Sequence, residues 1–156
     1  MPPALIFDIS SIDLNQVVVD QQGIRQCNPQ RGPMEQLNGI IWYDDAGRIL
    51  GYKDVKADEF WVEGHIPGRP LLPGVIMIEA AAQLSSFYVK GILETKGFVG
   101  FGGVEETRFR QTVQPGVRLL LLGILLKTRH SRFTSKIQGL VDGVLVFETT
   151  IIGAVM

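Results

Sequence analysis

Apolar positions recur along this chain in three rhythms. Residues 36–44 and 48–56 each carry a short apolar stretch, separated by the polar turn Asp44-Asp45-Ala46-Gly47, and together predict a β-hairpin. Residues 75–90 contain no helix breaker, and Val75, Ile76, Met77, Ile78, Ala80, Ala81, Ala82 and Leu84 would cover nearly every face of a helix. A helix apolar all round is a buried one. Pro73 and Gly74 suit its first turn, and Gly91 or Gly97 its end, which gives roughly 16 to 23 residues or about 25 to 35 Å. Residues 117–126 form a nearly unbroken apolar run, the signature of a central strand covered on both faces. Residues 132–140 alternate, and Asp142-Gly143 marks a hairpin into residues 144–152.

Between these runs the pattern is weaker. Residues 98–110 are mixed, and Gln114-Pro115-Gly116 is a turn. Residues 1–35 are poorly patterned: one or two helical turns are expected at residues 8–14, near a Ser10 or Ser11 cap, and a loop at 21–33. The architecture expected is α+β, one long central helix wrapped by an antiparallel sheet of about five or six strands, in a single domain over all 156 residues.

Composition narrows the partners. A formal net charge of −1 offers no general attraction to nucleic acid or to an anionic membrane, so an acidic partner must meet a local basic patch. One cysteine, Cys27, excludes an intrachain disulfide and a cysteine-based metal site, and two histidines far apart in sequence argue against any metal centre. No cofactor is called for. The apolar part of residues 1–10 is too short for a secretory signal, and the longest apolar tracts are interrupted by Pro73, Glu79 and Gln83 or end before Lys127. A cytoplasmic, soluble protein is the expectation.

The candidate chemistry lies in residues 61–83. Glu79 is the one carboxylate in the apolar helix; burial would keep it available as an acid, and Gln83, one helical turn on, is placed to hold it by a hydrogen bond. Equally, Glu79 could reach solvent or an arginine. His65 sits among Gly64, Ile66, Pro67 and Gly68 and suits proton removal, or else simply caps a backbone carbonyl. The N–H groups of Gly74 and Val75 at the helix start would polarise a carbonyl gaining negative charge. A base, an acid and an oxyanion site in one loop–helix unit suit proton abstraction beside a thioester carbonyl.

The stretch Gly64-His65-Ile66-Pro67-Gly68-Arg69-Pro70-Leu71-Leu72-Pro73-Gly74-Val75, followed by Glu79-Ala80-Ala81-Ala82-Gln83, resembles the signature of the FabZ-type β-hydroxyacyl-acyl-carrier-protein dehydratases. The likeness extends to Asp8-Ile9 and Ile12, to residues 29–33 and to Arg108-Phe109-Arg110, Val113 and Pro115-Gly116. It implies the hotdog fold and a lyase that reversibly dehydrates β-hydroxyacyl thioesters on acyl carrier protein in fatty acid synthesis. His65 would then be the base and Glu79 the acid, with the carbonyl oxygen bound near Gly74. The glutamate, where relatives that also isomerise have aspartate, favours dehydration alone. It implies a homodimer with His65 and Glu79 from different subunits, and is compatible with a hexamer of three such dimers. Lys96, Arg108, Arg110 and Arg118 are the candidate docking patch for the carrier, and Phe87, Tyr88, Phe98 and Phe101 candidate lining for the acyl chain. The sequence departs from the family pattern at Gln30, Gly32, Asn38, Ile66 and Val117, and before Pro29 it is longer by about ten residues, the length of a short loop. A hotdog thioesterase and a non-catalytic acyl-binding subunit are the alternatives; the first has no use for His65, and the second none for an intact His65 and Glu79.

Overall fold

A computed structural model describes residues 3–156. Seven strands form one antiparallel sheet: β1 (Val19–Asp20), β2 (Gly39–Tyr43), β3 (Arg48–Asp54), β4 (Val99–Phe109), β5 (Arg118–Arg129), β6 (Arg132–Val141) and β7 (Val144–Val155). Their order across the sheet is β1-β2-β3-β5-β6-β7-β4. The apolar run expected to be central is β5, the middle strand. Leu119 and Leu121 face one hydrophobic cluster and Leu122 the other. The β2–β3 and β6–β7 hairpins form where the turns predict, the second through Asp142 and Gly143, both at positive φ as a tight two-residue turn requires.

Helix α2 (Gly74–Phe87) lies across β3, β5, β7 and β4. Its Met77, Ala80, Ala81, Leu84 and Phe87 join Ile49, Leu119, Leu121, Ile137 and Phe147 in the main core. Gly51 lets the helix seat closely, because a Cβ there would come within 2.8 Å of Leu84 Cδ1. The helix continues past Phe87 as a π-helical turn, Tyr88–Ile92, so Gly91 falls inside the turn and does not end it. By length and composition Gly74–Ile92 is apolar enough to cross a membrane, but more than half of it is buried against the sheet. The expectation of burial on every side is corrected at the N-terminal end, where Val75 is 71% exposed and Glu79 is half-buried.

The outer sheet face is covered by the chain's own N-terminal segment. Phe7 packs with Ile41, Leu50, Tyr52, Leu122 and Leu140, flanked by Ile6, Ile9 and Ile12. Gln138, fully buried on β6, pins the segment at both ends of its amide: Oε1 accepts from the Ile6 N–H (2.9 Å), and Nε2 donates to the Ala4 carbonyl (3.0 Å). No helix forms at residues 8–14. There the Asp8 and Asp13 side chains accept from the backbone N–H two residues on, an alternative to helical hydrogen bonding. The short helix is instead α1 (Gln21–Arg25), inside the expected loop, where Asp20 caps the Gly23 N–H.

Phe7→Ala removes the largest side chain holding this segment to the sheet. It should cost about 3 kcal/mol in urea-denaturation stability; a loss below about 0.5 kcal/mol, the range of ordinary surface changes, would show that the segment adds no packing.

Candidate active site

The His65 loop is held by its own backbone. The His65 and Gly64 N–H groups donate to the Trp61 carbonyl (2.8 and 3.2 Å), Ile66 and Arg69 exchange N–H···O bonds, and the Leu72 N–H donates to the Val113 carbonyl (2.8 Å). The His65–Ile66 peptide is cis. His65 and Leu71 are joined twice: the Leu71 N–H donates to the His65 carbonyl (2.8 Å), and the imidazole Nδ1 lies 2.8 Å from the Leu71 carbonyl. A carbonyl only accepts, so Nδ1 carries the hydrogen. In the neutral ring Nε2 then keeps its lone pair and is the basic nitrogen. The two readings of His65, carbonyl cap and base, are therefore compatible, since the cap selects the tautomer a base needs.

The imidazole opens into an apolar groove of about 500 Å³, with Leu72, Pro73, Gly74, Val75, Met77 and Phe109 around it. Helix α2 begins on this wall. Pro73 is its N-cap and no side chain caps it, while the Pro73 carbonyl takes the Ile76 and Met77 N–H groups. The Gly74 and Val75 N–H groups have no carbonyl one turn earlier to bond, and they sit at the positive end of the helix dipole. Gly74 admits the Phe109 ring, whose atoms would stand 2.7 to 3.0 Å from a Cβ at that position.

Glu79 opens into a separate, narrow cavity between α2 and the sheet, lined also by Gln30, Ala82, Ser86, Phe101, Phe133 and Ile151. Its Oε1 accepts from Gln83 Nε2 (2.8 Å), as the one-turn spacing predicts. Gln83 is itself buried and fully engaged. Its Oε1 takes the Gln36 N–H (2.9 Å), its Nε2 also donates to the Met34 carbonyl (2.7 Å), and its main-chain carbonyl accepts from Asn28 Nδ2 (3.0 Å). Because Oε1 faces a backbone donor, the NH2 end must face Glu79. Gln30 Oε1 is buried on the same cavity wall without a partner among the described residues.

One chain thus keeps the two predicted reactive groups in different cavities. Of the candidate acyl lining, Phe101 reaches the Glu79 cavity and Phe98 is exposed. Phe87 and Tyr88 are core residues: the Tyr88 hydroxyl donates to the Asp44 carbonyl and accepts the Gly47 N–H, and burial pushes its phenol above the ordinary value. The four candidate docking cations differ in their pairing. Arg110 is paired with Glu148 (2.5 Å), and Arg118 with Asp54 (2.7 Å) while lying over the Tyr52 ring. Lys96 and Arg108 are exposed and without an ion pair among the described residues. His130 is exposed in the β5–β6 turn. No group of three or more His, Cys, Asp or Glu among the described residues is arranged to hold a metal ion. Asn28, Gln36, Lys53 and Glu59 are the polar residues that the sequence reading passed over.

A FabA-like domain family matches residues 28–150. The chain is 32% identical over 139 residues to a 3-hydroxyacyl-[acyl-carrier-protein] dehydratase FabZ from Desulfotalea psychrophila, covering 87% of this chain and 93% of that one. It is 32% identical over 138 residues to a protein of the same name from Listeria monocytogenes, covering 88% and 96%. Among solved structures, the dehydratase heterocomplex ApeI:P from Xenorhabdus doucetiae superposes with a TM-score of 0.70 at 18% identity, covering 85% of this chain and 90% of that one. A putative thioesterase from Silicibacter does so with 0.64 at 18%, covering 90% and 94%. At these identities the structural neighbours establish the hotdog fold alone.

The bond to Leu71 predicts that long-range 15N NMR correlations find neutral His65 protonated at Nδ1 and bare at Nε2. The opposite tautomer would mean that the loop does not set the ring.

Proposed function

This chain belongs to the FabA-like domain family as a FabZ-type 3-hydroxyacyl-[acyl-carrier-protein] dehydratase, and from that membership we propose that His65 and Glu79 perform its reaction at a site shared by two copies of the chain. The reaction removes water reversibly from a 3-hydroxyacyl group on acyl carrier protein, leaving the trans-2-enoyl thioester for fatty acid synthesis. The observation that carries the assignment is the Leu71 lock, which leaves His65 Nε2 free beside the unbonded N–H groups of Gly74 and Val75.

His65 Nε2 takes the proton from the carbon next to the thioester carbonyl. The Gly74 and Val75 N–H groups receive the charge that gathers on the carbonyl oxygen. Glu79 gives its proton to the 3-hydroxyl as the C–O bond breaks, and the electron pair of the old C–H bond becomes the new double bond. Gln83 holds one carboxyl oxygen so that the other faces the substrate. The narrow cavity beyond Glu79, walled by Phe101, Phe133 and Ile151, suits the start of an acyl chain.

Two facts support a homodimer. His65 and Glu79 open into different cavities of one chain. The long edge strand β4 is unpaired on one side and exposes Phe101, Val104 and Phe109, near exposed Ile66 and Val75; an edge of that kind is a template for pairing. For the acidic carrier, Lys96 and Arg108 are the sequence-derived cations left free to act.

Purified protein should hydrate a short trans-2-enoyl thioester with loss of enoyl absorbance and no free thiol; free thiol would mark a thioesterase instead. His65→Ala should abolish the reaction and Glu79→Gln should slow it by about 10²-fold or more. Full rates in either variant would remove that residue from the mechanism. Re-assorting the two inactive variants after mild dissociation should restore about a quarter of the sites, because each mixed C2 dimer contains one site with both native residues. No recovery would place both residues of a site in one chain.

A further inference from the structure

Polar groups that the mechanism leaves unused join Gln83 in one connected, largely buried network, and it reaches both reactive residues. Lys53 lies on the helix-facing side of β3, in register with Leu119, and is 2% exposed. Its Nζ donates to Glu59 Oε1 (2.5 Å) and to Gln36 Oε1 (2.7 Å). From Gln36 the network runs to Glu79: the Gln36 N–H holds Gln83 Oε1 (2.9 Å), and Gln83 Nε2 holds Glu79 Oε1 (2.8 Å). From Glu59 it runs to the histidine loop. Glu59 Oε1 accepts from Trp61 Nε1 (3.2 Å) and Oε2 from the Lys56 N–H (2.8 Å), and the Trp61 carbonyl takes the His65 N–H (2.8 Å).

Every amide in this path has its orientation dictated. Lys53 can only donate, so Gln36 must turn its Oε1 to the lysine and its Nε2 to the Pro33 carbonyl (2.8 Å). Gln36 itself is 1% exposed and has no room to relax. We propose that the buried Lys53–Glu59 ion pair is the positioning device of the active site, setting the Glu79 carboxyl through Gln36 and Gln83 and the His65 loop through Trp61. Lys53 and Glu59 are positioning residues and do not touch substrate. Their position between the two arms explains why a strand that otherwise faces the core carries a lysine. Two apolar side chains would fill the same space but leave Gln36 Oε1 without its donor, loosening the residue whose backbone N–H orients Gln83.

This inference rests on His65 and Glu79 being the reacting groups, so its test includes Glu79→Gln in parallel. The informative variant is Lys53→Met with Glu59→Leu. Removing both charges together avoids an unpaired buried ion, and such replacements commonly keep or raise stability. Measured well below its melting temperature, the double variant should lose about tenfold or more in kcat, the scale of a misplaced reacting group, with KM unchanged within about twofold. The pH profile of kcat should also change shape, which a smaller folded fraction would leave unaltered. Wild-type kcat and pH profile in the folded double variant would overturn the proposal. If the double variant does not fold, Lys53→Met, which removes the fully buried charge and leaves the partly exposed Glu59 carboxylate with its Trp61 and Lys56 donors, is read by the same criteria. Full activity in Glu79→Gln would overturn the site assignment itself; loss there with wild-type behaviour in the ion-pair variants would overturn the positioning role alone.

Discussion

The constraint on which this structure depends is that helix α2 is seated in the sheet while carrying polar side chains into the contact. Leu84 against Gly51 sets how closely helix and strand approach. At that distance Gln83 has no water to turn to, and an unpaired amide there would cost about 1 to 3 kcal/mol. Loop 28–36 meets the demand, supplying Asn28, the Met34 carbonyl and the Gln36 N–H to one residue. Satisfying Gln83 therefore folds the loop and aims Glu79 in the same step. Under the proposed mechanism, stability and function share these hydrogen bonds.

The two sheet faces and the free edge are treated differently. The inner face takes the helix, and the outer face takes residues 4–12, tied by Gln138. The β4 edge is left with aromatic and aliphatic side chains in solvent, close to the groove that His65 enters. Under the proposed dimer this asymmetry has a single cause. Both sheet faces are covered by the chain itself, and the apolar β4 edge is where a second copy completes the site.

Much was legible in the residues. The glycine and proline punctuation from Gly64 to Gly74 marks a shaped loop running into a helix, and the one-turn spacing of Glu79 and Gln83 anticipates their hydrogen bond. The tautomer of His65 was not legible, because the Leu71 carbonyl that selects it is a backbone group and leaves no trace in residue type. Arg110 and Arg118 looked like free cations because Glu148 and Asp54, which neutralise them, are 38 and 64 residues away in sequence. Tyr88 looked like pocket lining because an apolar helix does not say which of its sides meets the cavity and which the core. Lys53 did leave a signal. It shares strand parity with Ile49 and Gly51, so a charge was due on the buried side, although only the structure selects Glu59 over Asp54 and Asp58 as its partner.

By itself, the sequence determined the two hairpins, the central apolar strand, the place where the helix starts, and the residue types that can move protons, since these follow from local sterics and side-chain chemistry. The tertiary structure alone decided which ends of the amides face which groups, which cations remain free, and that His65 and Glu79 of one chain open into different cavities. Those outcomes depend on residues brought together from opposite ends of the chain. Hydrogen-bond direction and ion pairing act over about 3 Å of space, whatever the separation in sequence.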